Sequence, residues 1–434
     1  MIGDRWQGAL GDRRFRLLFI GQTCSAAGTA LVPVALAFAV LDAGGGPGAL
    51  GLVLAASRLP LAVFTILGGV VGDRLPRQAV MLSSDGARAL TQGVTAGLLA
   101  TGHVSIVAIA VLQAAHSTAA AFFNPAATGL TPQTVAPQHL QEANALLGLS
   151  RGSTAIGGQV AAGVLVAAFG SASVFAIDAA TYLVSATSLA LLRPQGAPAT
   201  VAVSSVRRDL VEGWRAFRSQ TWIAAGSIHI ALMNAFVLAP FFVLGPIVSA
   251  RWLGGAAAWG AVAAGFALGM VLGGMLALRV RAQRPLVIAF AAILLSIPQF
   301  VLLALHAPVA LVVGAAVLGG GQSSFFTALW TTTLQARVPK AAISRVAALS
   351  SVSMLALAPL AYALVGPATE LTGVAEVLLF GAGWTLISTA VVLSLASVRG
   401  LTWVPEQHAS KRQGALERSA VGRRSVRWAH DVDR

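Results

Sequence analysis

The sequence predicts an all-α membrane protein whose twelve spanning helices form two six-helix halves, and three observations carry that expectation. The chain of 434 residues is 56% hydrophobic and only 10% charged, far below the roughly 25% charged content of ordinary soluble chains. Its apolar residues fall in runs long enough to cross a bilayer, about 20 residues at about 1.5 Å each against a core of about 30 Å. Its basic residues gather at alternate junctions between those runs, the asymmetry that orients membrane helices.

The runs lie near 16–41, 48–72, 79–100, 104–127, 145–169, 172–192, 222–249, 255–278, 285–305, 308–331, 345–366 and 372–397. Gly, Ala, Ser and Thr recur within them, as close helix packing in lipid requires. Arg13, Arg14, Arg16, Arg74, Arg77, the stretch from Arg193 to Arg218, Arg279, Arg281, Arg284, Arg337, Lys340 and the tail from Arg399 all fall on one side. By the positive-inside rule that side is cytoplasmic, with both termini on it and the chain in the cytoplasmic (inner) membrane. The opposite loops, near Asp42, His103, Gly170, His306 and Pro367, carry no Lys or Arg, with Arg251 the exception.

The basic start leads into a long apolar segment without a cleavage pattern, and reads as a retained first helix. The polar stretch from Arg193 divides the chain into an N-terminal half over 1–192, a cytoplasmic linker over 193–221 and a C-terminal half over 222–398. A basic tail over 399–434 is expected to be disordered in the cytoplasm. Within the linker, Leu210, Val211, Trp214 and Phe217 alternate with arginines at helical spacing, which fits an interfacial helix or a simple tether. The halves echo one another: AFFNPAATGLTPQTVAP from Ala121 parallels SFFTALWTTTLQARVP from Ser324, and GGVVGDRLPR from Gly68 parallels GGMLALRVRAQR from Gly273. Both offsets are near half the chain, so the repeat is parallel.

The net charge of +14 does not mark a nucleic-acid protein, because the basic residues recur at alternate helix junctions, which is a topology signal. The lone Cys24 excludes a disulfide framework and a cysteine metal site. His residues are scattered, and neither H-E-x-x-H nor a phosphate loop is present, so no enzyme, metal or cofactor is expected.

The segment GVVGDRLPRQAVM, from Gly69 to Met81, is the sharpest motif. Its Gly69, Asp73, Arg74 and Arg77 fit the loop G-x-x-x-D-R-x-x-R-[RK] between the second and third helices of the major facilitator superfamily, which the chain therefore resembles; Pro76 and Gln78 depart from the pattern. The resemblance implies a conformational latch in which Gly69 and Gly72 permit close approach and Asp73 pairs with arginines or a helix N-terminus. Asp85 and Arg88, one turn apart, either join this latch or form a plain surface pair. RRFRLLFIGQTCSAAG, GLVLAASRLPLAVFTILGGVVGDR, AFFNPA and FAIDAATYLVSA are similar to strings of the branch that includes enterobactin exporters and macrolide efflux pumps. Where drug antiporters of the superfamily carry G-P-x-x-G-G in the fifth helix to seal one face, this chain has Gly158, Gln159, Val160, Ala161, Ala162 and Gly163. The fourth-helix Arg of many proton-driven members has no counterpart between Ile106 and Ala121.

Polar groups inside the apolar runs are the candidate site, since such groups are costly in lipid and face cavities or partners. Arg58 lies near mid-bilayer and would meet an anionic or carbonyl-bearing substrate, tune a proton site, or form a buried pair. Asp178 is the candidate proton carrier, with a structural hydrogen bond as the alternative. Glu376 ranks below it, one turn from the outer interface. Gln22, Gln113, Asn124, Asn234, Gln299 and Gln322 offer orienting polar points, and His116 and His229 lie near mid-depth. Pro240, Pro246, Pro298 and Pro359 are expected to kink their helices. The expected partners are a small-molecule substrate, protons and the bilayer, for a monomer exporting by alternating access; an uptake carrier or a non-transporting scaffold are the alternatives.

Overall fold

A computed structural model describes residues 7–192, 214, 220–280, 282–338 and 357–402, with positions 346, 349, 350, 353 and 354. The interfacial stretch Leu210, Val211 and Phe217 and the tail beyond residue 402 lie outside the described residues. Helix α1 (Arg13–Asp42) opens on an N-cap, Asp12, whose side chain accepts from the Arg14 amide at 2.9 Å and pairs with its guanidinium at 2.7 Å. That guanidinium holds the Asp12 carboxyl below its ordinary value. There follow α2 (Pro47–Arg74), α3 (Arg77–Ala100) and α4 (Ile106–Leu130). The helical stretch Leu140–Ala190 is broken at Gly170, where φ is +75°, into α5 (140–169) and α6 (171–190). A left-handed φ is open to glycine because it has no Cβ, so one residue makes the whole turn.

The later helices are α7 (Thr221–Leu253), α8 (Gly255–Arg279), α9 (Pro285–Ala304), α10 (Val309–Arg337), α11 (Ala358–Thr372) and α12 (Val374–Ser394). Among the described residues nine stretches are long and apolar enough to cross a membrane, against the twelve runs read from the sequence. The difference lies at α3, which carries a polar stripe, at α11, of which 15 residues are described, and at α5 and α6, which count as one stretch because Gly170 alone separates them.

Prolines shape the helices as their missing N–H demands. In α7 a π-turn at Asn234–Leu238 precedes Pro240 and another at Ser249–Leu253 follows Pro246. In α9 a 3₁₀ turn, Ile293–Ser296, precedes Pro298. Pro359 instead sits in the first turn of α11, where no intrahelical donor is lost. Pro367 is also not in a loop, as the sequence suggested: it lies inside α11, and the turn falls at Gly373, where φ is +107°.

Close helix contacts depend on glycine. A Cβ on Gly273 would collide with the Gly321 backbone, and one on Gly320 with Phe266, so α8 and α10 approach at backbone distance. At the charge-poor end, the end of Asp42, Gly170 and Gly373, two further seams close. Gly48 and Gly51 of α2 meet Gly366 and the Tyr362 carbonyl of α11, and Gly163 of α5 meets Gly260 of α8. Aromatic rings pack the second set of helices, with Phe241 within 6.0 Å, centroid to centroid, of Phe242, Trp259, Phe266 and Phe300.

Candidate functional site

Helix α3 carries Ser84, Asp85, Arg88, Gln92 and Thr95 at intervals of about one turn, and all five are buried. A polar stripe on a membrane helix must face the bundle rather than lipid, and here it meets α4 and α6. Asp85 is fully buried: one oxygen accepts from Arg88 Nη2 at 2.5 Å and the other from Ser185 Oγ at 2.6 Å. The Arg88 guanidinium lies between two aromatic faces, 4.3 Å from the Phe123 ring and 4.2 Å from the Tyr182 ring, so its charge is stabilised by cation–π contact as well as by the carboxylate. Tyr182 Oη shares a 2.8 Å hydrogen bond with Thr29 Oγ1 of α1, and the His116 ring stands 5.6 Å from the Tyr182 ring.

A second strand of the network lies nearer the charge-poor end. Gln113 Nε2 donates to Gln92 Oε1 at 3.1 Å, and Gln92 Nε2 donates to Asp178 Oδ2 at 2.7 Å. Asp178 Oδ1 has no partner among the described residues and lies where a Cβ on Gly28 would stand. The glycine thus lets α1 approach α6 over this carboxylate.

These helices enclose a cavity of about 710 Å³ whose wall includes Gln22, Arg88, His116, Asn124, Arg151 and Tyr182 and extends to Thr131 and Asn144 at the basic end. A second cavity of about 410 Å³ among α7, α8, α9 and α10 is lined by Asn234, Gln299, Gln322, Phe326 and Trp330. Asn234 Nδ2 donates to the Met354 carbonyl at 2.8 Å. His229 is buried against Phe290 with neither ring nitrogen bonded.

The structure therefore groups the sequence candidates differently from their order along the chain. Gln22 and His116 lie on the first cavity wall and Asn234 on the second, whereas Gln113 and Asp178 are packed between helices behind the first. Arg58 is exposed on the α2 face that carries Gly51, seven residues further from the charge-poor end. Glu376 sits in the first turn of α12 against Gly373 and lines a third, largely apolar cavity of about 660 Å³ with Phe236, Leu360 and Phe380, apart from the two polar cavities. The surface-pair reading of Asp85 and Arg88 gives way to a buried pair, because α3 turns its polar stripe inward. The period of that stripe, 84, 88, 92 and 95, was the available signal in the sequence.

Of the loop motif, the surroundings of Gly69 and Gly72 and the side chains of Asp73 and Arg74 lie outside what is described. Arg77 reaches over Gly129 and donates to its carbonyl at 2.5 Å, tying α3 to the end of α4. Gln78, the departure from the usual basic residue, donates to the Leu189 and Leu192 carbonyls at 2.6 and 2.7 Å and so caps the end of α6. Gly163 of the altered fifth-helix run forms the seam with Gly260.

A polytopic helical bundle with buried polar cavities closed at one end is the architecture of a membrane transporter. A profile of the Major Facilitator Superfamily matches residues 18–361, and the chain belongs to that superfamily. It is 29% identical to the multidrug efflux pump Tap of Mycolicibacterium fortuitum, over 46% of this chain and 51% of Tap. It is 29% identical to the uncharacterized MFS-type transporter YfiS of Bacillus subtilis, over 44% of this chain and 47% of YfiS. It is 23% identical to macrolide efflux protein A of Streptococcus pyogenes, over 61% of this chain and 65% of that protein. The chain thus spans about half to two thirds of the length of these curated relatives. Its fold matches the nucleoside transporter NupG with a TM-score of 0.69 at 15% identity, covering 88% of this chain and 98% of NupG. It matches an inward-facing bacterial homologue of the iron transporter ferroportin with a TM-score of 0.65 at 18% identity, covering 88% and 98%.

Proposed function

We propose that this transporter is a secondary carrier that exports a small molecule by proton antiport and alternating access, its two six-helix halves rocking about the cavities. In this reading it has twelve spans, works as a monomer and places its basic end in the cytoplasm. The observation that carries it is the asymmetry of closure. Glycine seams join α2 to α11 and α5 to α8 at the charge-poor end, while the first cavity runs from mid-helix to Thr131 and Asn144 at the basic end. That arrangement fits a carrier resting open to the cytoplasm, the state that loads an exporter. Efflux in two partial relatives supports the direction.

Asp178 is the proton carrier in this scheme. It is a membrane-buried carboxylate with one bonded and one unbonded oxygen, linked through Gln92 to Gln113. Arg77 and the loop from Gly69 to Arg74 act as the latch between states. Energised everted vesicles test the reading with a screen of siderophores, macrolides and cationic dyes. A transported compound should release protons, and Asp178→Asn should abolish dependence on the pH gradient while binding persists. Gradient dependence unchanged in Asp178→Asn removes it from the coupling path, and accumulation in the opposite sense identifies an uptake carrier.

A further inference from the structure

Resting on the carrier reading above, we propose that the cavity among α1, α3, α4, α5 and α6 takes a substrate through a carboxylate or similar anionic acceptor group seated on Arg88, and discriminates against cations. The charged side chains described on its wall are Arg88 and Arg151, and no Asp or Glu is among them. The second cavity has no charged side chain on its described wall to offset this. Asp85 balances the Arg88 charge from behind, so the positive charge that a cation entering the first cavity would meet without a paired carboxylate is that of Arg151, in a medium that screens it poorly.

Hydrogen-bond accounting points the same way. Arg88 is nine-tenths buried, yet its Nε has no acceptor, and Gln22 Nε2 on the same wall has none either. Buried donors without acceptors are rare because their desolvation is uncompensated. Asp85 does not supply the missing acceptor, since its two oxygens are taken by Arg88 Nη2 and Ser185 Oγ. It anchors one edge of the guanidinium, the Phe123 and Tyr182 rings stand 4.3 and 4.2 Å from its central carbon, and its Nε is left without an acceptor. A guanidinium fork fixed in this manner matches a carboxylate better than any other common group.

The test uses the full chain in nanodiscs and three probes on one skeleton: 1-naphthoate, 1-naphthalenemethanol and 1-naphthylmethylammonium. Calorimetry should show naphthoate binding most tightly and the ammonium probe most weakly. Loss of one charge-assisted contact in Arg88→Gln should weaken naphthoate by about ten- to a hundredfold and leave naphthalenemethanol unchanged. Gln22→Leu, which leaves the Asp85 and Arg88 pair in place, should weaken naphthoate several-fold and serves if Arg88→Gln does not fold. Ammonium binding as tight as naphthoate, naphthoate binding unaltered in the variants, or no saturable naphthoate binding overturns the proposal. Counterflow in proteoliposomes separates this from the carrier reading. Movement of the ammonium probe but not of naphthoate refutes charge selection and leaves the carrier standing. Selective naphthoate binding without movement of any probe supports the site and refutes the carrier.

Discussion

Gly366→Ala should open the charge-poor end of the transporter, whereas Gly48→Ala, across the same seam, should not. A Cβ at Gly366 would stand 2.1 Å from Gly48 Cα and 2.6 Å from its nitrogen. Ordinary carbon contacts are about 3.5–4.0 Å, so α11 must withdraw from α2 by about 1.5 Å. A Cβ at Gly48 points elsewhere and meets Gly366 Cα at 3.8 Å, an ordinary contact. Overpacking of this kind costs about 1–3 kcal/mol, a roughly five- to 150-fold shift against the state closed at this end. Spin labels at Leu52 of α2 and Leu371 of α11, both exposed, on a Cys24→Ser background, would read the seam by electron–electron double resonance. Gly366→Ala should move the distance distribution to longer values and Gly48→Ala should reproduce the parent. An unchanged distribution in Gly366→Ala, or equal shifts in both, refutes the seam as the closure.

Three other perturbations follow from the packing. Asp85→Asn breaks a fully buried pair and should cost about 3–5 kcal/mol, with Asp85→Leu combined with Arg88→Met recovering most of it; thermal melts in one detergent compare them, and a harmless Asp85→Asn would contradict the burial of the pair. Gly28→Ala places a Cβ 2.2 Å from Thr181 Oγ1 and 2.5 Å from Asp178 Oδ1, so it should displace Asp178 from Gln92 and reduce gradient-driven flux as Asp178→Asn does. Full coupling in Gly28→Ala would show that this position of the carboxylate is not needed. Asp12→Ala removes an N-cap and should lower stability by about 1 kcal/mol. Because the folded carboxyl lies below its ordinary value of 3.8, the parent's advantage is complete above that pH and is lost as the pH falls through the folded value. Melts at neutral and acid pH should show that gap closing.

Composition, run length and the sidedness of arginine depend on transfer of residues between water and lipid, which each residue carries with it, and so the sequence by itself determined a polytopic helical membrane protein with a basic end. The loop from Gly69 to Arg77 likewise pointed to the superfamily that the profile match establishes. Which polar groups share a cavity is a matter of helix rotation and crossing, and that only the tertiary structure decided. Arg88 looked like a helix-start charge beside Asp85, yet rotation of α3 puts it between Phe123 and Tyr182, residues 35 and 94 positions away in the chain. Gln113, read as an orienting polar point, and Asp178, read as a proton carrier or a structural hydrogen-bond group, both turn toward Gln92, because α3, α4 and α6 meet there. The state of the transporter was equally hidden: Gly48, Gly163, Gly260 and Gly366 are four among 46 glycines, and only their juxtaposition across helices makes them a closed end.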